Sequence, residues 1–257
     1  MMSKALMIAK LTFLQKFASA RVIMGYLLGL AFLAAGLEDF WHFVTYTGEP
    51  VNMLEAFIVA ESQTWAGFLW ALGYMLIISD APFVNKGSYI VLYRCKRYTW
   101  NMGMTLYIAF QAFAYTLLFA AVSAVTGICS GYIGKIWSSP VYTLMKDTSG
   151  VFLKKFGMSF PYETVMRKMT VVSALGSAFL NMLCYLMLIG MILYVCNLTL
   201  GGMWGMAAVV LLHLTKGAAW CKISIDGSPD TLYIEIALIA VMTIVSFIAV
   251  RKGVDYG

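Results

Sequence analysis

Long apolar runs separated by short polar breaks organise this chain. Five runs, Val22 to Leu37, Ser62 to Ser79, Tyr98 to Gly134, Met169 to Thr215 and Ile236 to Val250, contain no Asp, Glu, Lys or Arg. A helix crossing a bilayer needs roughly 20 apolar residues, so the Met169 to Thr215 run is long enough for two, parted at Asn197 to Gly202. The pattern therefore predicts six spans, near 22–43, 57–79, 101–125, 169–195, 202–217 and 232–250. Helices follow because an open sheet would leave backbone groups unpaired in lipid, and the alternating ~10-residue segments of a membrane barrel are absent. The expected fold is all-α: one polytopic membrane domain over residues 1–257, with six transmembrane helices.

Ahead of the first span, Met7, Leu11, Leu14 and Ala18 share one helical stripe, with Ala5, Ala9, Thr12, Lys16 and Ser19 opposite. Residues 1–21 are thus expected to form an elbow helix in the membrane interface. Ala18-Ser19-Ala20 imitates a signal-peptide cleavage site, but Lys10 and Lys16 interrupt the apolar region such a peptide requires.

Composition agrees with the pattern. With 61% hydrophobic and 12% charged residues, a chain of 257 residues cannot hide its apolar surface in one water-soluble core, so the bilayer is the expected solvent. The net charge of +6 is not a nucleic-acid footprint, because the basic residues gather at the ends of apolar runs. Membrane lipids explain that placement. Lys4, Lys10, Lys16 and Arg21 precede the first span, and Arg251 and Lys252 follow the last, whereas the first loop has only acidic charges, Glu38, Asp39, Glu49, Glu55 and Glu61. The positive-inside rule then puts both termini and the 80–100 loop in the cytoplasm. Residues 127–168 dissent, carrying Lys135, Lys146, Lys154, Lys155, Arg167 and Lys168; the span count nevertheless makes them an extracellular loop.

Candidate chemistry is sparse. Glu38 and His42 stand four apart on one helix face, but the aromatic residues around them suit an outer interface better than a metal site. With Glu235 at the start of the last span they form a candidate outer gate; Glu235, and Lys216 and Lys222 at the end of the fifth span, either line such a gate or simply anchor helix ends. His213 is alone in its span, without an Asp or Glu there to serve a proton relay. Gly25-x-x-x-Gly29, with Gly36, permits close helix approach, either within the chain or across a dimer seam. The five cysteines form no C-x-x-C pair, and a bridge between Cys129 and Cys221 is open. Catalytic motifs are missing: there is no G-x-S-G nucleophile, no H-E-x-x-H, and Gly134-Lys135 is followed by Ile136 where a phosphate loop needs Ser or Thr. No catalytic residue, metal or cofactor is expected in this chain.

The most informative interruption is Ile77 to Gly103, a polar stretch shaped by Pro82, Asn85 and Gly87 and carrying Lys86, Arg94, Lys96 and Arg97. Ile78-Ser79-Asp80-Ala81-Pro82-Phe83 leading to Tyr93-Arg94-Cys95-Lys96-Arg97-Tyr98-Thr99-Trp100 resembles the segment after the second span in permease subunits of the ABC-2 transporter family. The ending Arg251-Lys252-Gly253-Val254-Asp255-Tyr256 is similar to the basic, Asp-aromatic close of bacterial members. The resemblance implies a bacterial plasma-membrane exporter without its own ATPase motif, working with two ATPase subunits that bring ATP and Mg and with a second permease subunit, identical or homologous. It further implies that the 80–100 loop docks on the ATPase as a coupling element. Asp80, Pro82, Phe83, Asn85, Tyr89, Leu92, Tyr93, Arg94 and Arg97 are the expected coupling residues. The alternative is a non-transporting scaffold or sensor whose basic loop binds a cytoplasmic partner.

Overall fold

A computed structural model describes the backbone of residues 2–63, 66–82, 95–128, 131–147, 149–160, 162–200, 202–219 and 229–251. Among these, the chain runs α1 (Met2–Phe17), α2 (Ala20–Thr47), β1 (Val51–Asn52), α3 (Glu55–Ser62), α4 (Ala66–Ile78) and α5 (Arg97–Thr126). It continues through β2 (Gly131–Tyr132), α6 (Ser139–Met145), α7 (Val151–Phe156), α8 (Glu163–Lys168), α9 (Val171–Thr199), α10 (Gly202–Ala219) and α11 (Pro229–Arg251). Four helical stretches are long and apolar enough to cross a membrane: α2, α5, α9 and Leu232–Arg251 of α11. Large apolar side chains remain on their outer faces, with Leu117 50% and Ile244 60% exposed, as lipid-facing surface requires. The chain is an all-α, multi-pass membrane protein with one short pair of strands.

Local chemistry sets the helix ends. Ser19 caps α2 by accepting from the Val22 N–H at 3.4 Å, and Gly48 closes it at φ +67, a left-handed conformation that costs glycine little. Thr170 caps α9 in the same manner, accepting from the Ser173 N–H at 3.4 Å.

Helices lie at the six positions where the hydrophobic pattern places spans, but among the described residues four, not six, have the length and apolarity of a crossing: α4 is too short and α10 does not qualify. The stretch expected as a single helix over 57–79 is divided into α3 and α4, because Gln63 turns extended (φ −72, ψ 132). Its side-chain amide donates to the Val59 carbonyl at 3.0 Å and to the Ser159 carbonyl at 3.1 Å. A polar side chain thus ends a helix that hydropathy alone would continue.

The bundle has two distinguishable ends. At one, α2 and α5 finish and β1 pairs in parallel with β2, Val51 opposite Gly131. The segment from 131 to 170 folds over this end as a cap of α6, α7 and α8. The Val171 N–H donates to the Lys135 carbonyl at 3.2 Å and Trp137 Nε1 to the Met169 carbonyl at 3.0 Å, which fasten the cap to the start of α9. At the opposite end α4 finishes, α5 begins, and α9 and α11 arrive. There Tyr194 donates to Asn101 Oδ1 at 2.7 Å, and Asn101 Nδ2 to Ser246 Oγ at 3.0 Å.

Helix α1 packs against the first turns of α5, with Ala5, Ile8 and Ala9 buried and Ile8 beside Gly103. The predicted stripe faces away from the protein: Met7 is 61% and Leu14 60% exposed. Ala5, Ile8 and Ala9 form the face that meets protein, and Met7, Leu11 and Leu14 stay exposed on the other.

Candidate functional site

At the open end of the bundle, opposite the cap, the base of the Ile77 to Gly103 break is tied to two other helices. Ser79 and Asp80 directly follow α4, and the Ala81 N–H donates back to the Ile78 carbonyl at 2.8 Å, continuing the helical turn. Arg21, in the first turn of α2, forms an ion pair with Asp80 and donates from Nη1 to Ser79 Oγ at 3.4 Å. From the last turn of α9, Asn197 Nδ2 donates to the Ser79 carbonyl at 2.9 Å and to the Ala81 carbonyl at 2.6 Å. One amide thus satisfies two carbonyls that have left the helix ladder. The far end of the break enters α5 at Arg97, which is exposed, while Trp100 one turn on is buried.

Of the expected coupling residues, Asp80, Pro82 and Arg97 are therefore seen at the two ends of the segment. Phe83, Asn85, Tyr89, Leu92, Tyr93 and Arg94 lie outside the described residues, as do Cys129, Cys221 and Lys222 and the side chains of His213 and Lys216.

Gly25 and Gly29 meet α4 and α5 within the chain. A Cβ on Gly25 would stand 2.6 Å from Ile77 Cγ1 and 2.7 Å from the Gly73 carbonyl, and one on Gly29 would collide with the Tyr115 hydroxyl. Gly36 has open space where a Cβ would go. Glu38 and His42 pair at 3.6 Å on the exposed face of α2, whereas Glu235 is buried on α11, near Cys184 of α9.

Several polar contacts inside the bundle were not singled out by sequence reasoning. Tyr26 donates to Gln111 Oε1 at 2.9 Å, and Gln111 Nε2 donates to Tyr107 Oη at 3.0 Å, joining α2 to α5. Asn181 Nδ2 donates to Glu61 Oε1 at 2.7 Å, joining α9 to α3. The available signal was the rarity of amides: Gln111, Asn181 and Asn197 each interrupt a long apolar run, where an amide needs a partner.

At the capped end, Glu55 opens α3 and receives the Ser138 N–H at 2.7 Å on Oε1 and the Ser138 hydroxyl on Oε2. The carboxyl is buried, and both of its oxygens are met by Ser138. Asn52 Nδ2 donates to the Gly134 carbonyl at 2.8 Å, so two buried side chains of the 51–55 corner hold the cap.

Comparison with family models, with curated proteins and with solved structures finds no match. Among the described residues, no group of three or more His, Cys, Asp or Glu side chains is arranged to hold a metal ion.

Proposed function

We propose that this chain is the permease subunit of an ATP-driven ABC-2 type transporter, an exporter in a bacterial plasma membrane. The observation that carries the proposal is the anchoring of the 80–100 segment. Asp80 is tied to α2 through Arg21, and its neighbours Ser79 and Ala81 to α9 through Asn197. A push delivered to this segment reaches α2, α4, α5 and α9 together, as a rigid transmission element requires. The resemblance of the sequence around Asp80 and Arg97 to the family's coupling segment supplies the identity of the motor, an ABC ATPase pair that binds ATP and Mg.

In this account all six apolar helical stretches cross the membrane, with α3 and α4 together making one crossing, and α1 is the elbow. Lys4, Lys10, Lys16, Arg21, Lys96, Arg97 and Arg251 belong to the open end, which is therefore cytoplasmic, and the cap is external. A second permease subunit completes the path. The test is purification of tagged protein in mild detergent. Recovery of an ABC ATPase supports the proposal; recovery of a different cytoplasmic protein, with no ATPase, would favour the scaffold alternative. Impermeant labelling of a cysteine placed at Lys154 tests the external cap, and labelling from the cytoplasmic side alone would overturn the orientation.

A further inference from the structure

The basic residues of the cap, which fit poorly with the charge rule, are partly gathered around one cleft. It has a volume of about 670 Å³ and lies between the loop after β2, helices α6 and α8, and the residues leading into α9. Lys135, Lys146 and Arg167 line it, with Glu163 the one acidic side chain. Glu163 is already engaged by Arg167 at 2.5 Å. Among the described residues, Lys135 and Lys146 make no ion pair, and Lys146 stands 4.4 Å from the centre of the Tyr142 ring. The cleft therefore holds two uncompensated positive charges.

Apart from Thr170, its remaining walls are apolar or aromatic, including Ile136, Trp137, Met145 and Met166. Ile136, which lines it, is 78% exposed, a large apolar side chain for a water-facing lip. The level of the cleft is fixed by Met169 and Thr170, which line it and directly precede the membrane-crossing α9. Trp137 and Tyr142 sit at the same level, where aromatic side chains favour the boundary between headgroups and water.

We propose that this cleft binds an anionic phospholipid from the leaflet at the capped end, its phosphate between Lys135 and Lys146 and its glycerol and upper acyl region against Ile136, Met145 and Met166. A soluble anion would use the two lysines but leave the apolar walls and rim unmatched. A neutral lipid would match the walls and leave the lysines without a counter-charge. An anionic amphiphile at the membrane boundary satisfies both. The inference does not depend on the transporter proposal, since it concerns the full chain in a membrane with or without an ATPase.

The experiment titrates the full-length protein, in a mild non-ionic detergent, with short-chain phosphatidylglycerol, phosphatidylcholine or inorganic phosphate, and follows direct binding and thermal stabilisation. Phosphatidylglycerol is expected to bind in preference to the other two. Lys135→Gln with Lys146→Gln should weaken its binding roughly tenfold or more, since each near-surface cation is worth about 1 kcal/mol toward an anionic lipid. Lys154→Gln with Lys155→Gln removes the same charge from α7, outside the cleft, and should leave binding close to wild type. Glu163→Gln releases Arg167 and should tighten binding, a gain that misfolding does not produce. Equal binding of the two lipids, or equal losses in the two lysine pairs, would overturn the proposal. Stabilisation by inorganic phosphate as strong as that by phosphatidylglycerol would make this a free-anion site and overturn the lipid assignment.

Discussion

Arg21 and Asp80 form an ion pair that joins the first turn of α2 to the second residue beyond α4. Both side chains are about half exposed, at 49% and 56%, so the pair adds little to stability. Its consequence is positional: with Asn197 it fixes where the polar segment leaves the bundle.

Asn197→Leu should weaken that exit more than either charge does. It leaves the Ser79 and Ala81 carbonyls without the amide that now serves both. A loss of about 1–2 kcal/mol in detergent unfolding is expected, with faster proteolysis between Asp80 and Trp100. Unchanged stability and cleavage would mean that water replaces the amide at no cost.

Gly29→Ala and Gly36→Ala form a matched pair. The first places a methyl group against the Tyr115 hydroxyl, and the second places one in open space. Thermal unfolding should show a cost of roughly 1–3 kcal/mol for Gly29→Ala. Gly36→Ala should be neutral or slightly stabilising, because alanine is the better helix former.

The Tyr26–Gln111–Tyr107 chain predicts a modest effect. Tyr26→Phe removes one interhelical hydrogen bond, and such bonds in membrane proteins average about 0.6 kcal/mol. Gln111→Leu removes the acceptor of the Tyr26 hydroxyl together with the bond donated to Tyr107, and should cost more, about 1–2 kcal/mol. A double-mutant cycle by unfolding in detergent checks the coupling, and additive losses would show that the two contacts do not act together.

The helical skeleton was legible in the sequence because lipid removes the alternatives to a helix wherever an apolar run is long enough. The Gly25 and Gly29 spacing likewise announced a close helix contact, although only the structure supplies Gly73 and Tyr115 as its other side. Residues 131–170 were not legible as a folded cap: their helices are six or seven residues long, too short for periodicity to declare, and the partners Glu55 and Asn52 lie about 80 residues away. The break at Gln63 escaped for a related reason, since it depends on the distant Ser159 carbonyl.

Charge exchange at Arg21 and Asp80 tests the coupling account most directly. Tagged wild-type protein, Arg21→Asp, Asp80→Arg and the double exchange would be purified in mild detergent, and the bound ABC ATPase quantified. Because the pair is half exposed, all four should insert and fold. The account predicts that each single exchange loses most of the bound ATPase and that the double exchange restores it. Wild-type levels of ATPase on both single variants, or no ATPase on the wild type, would contradict it.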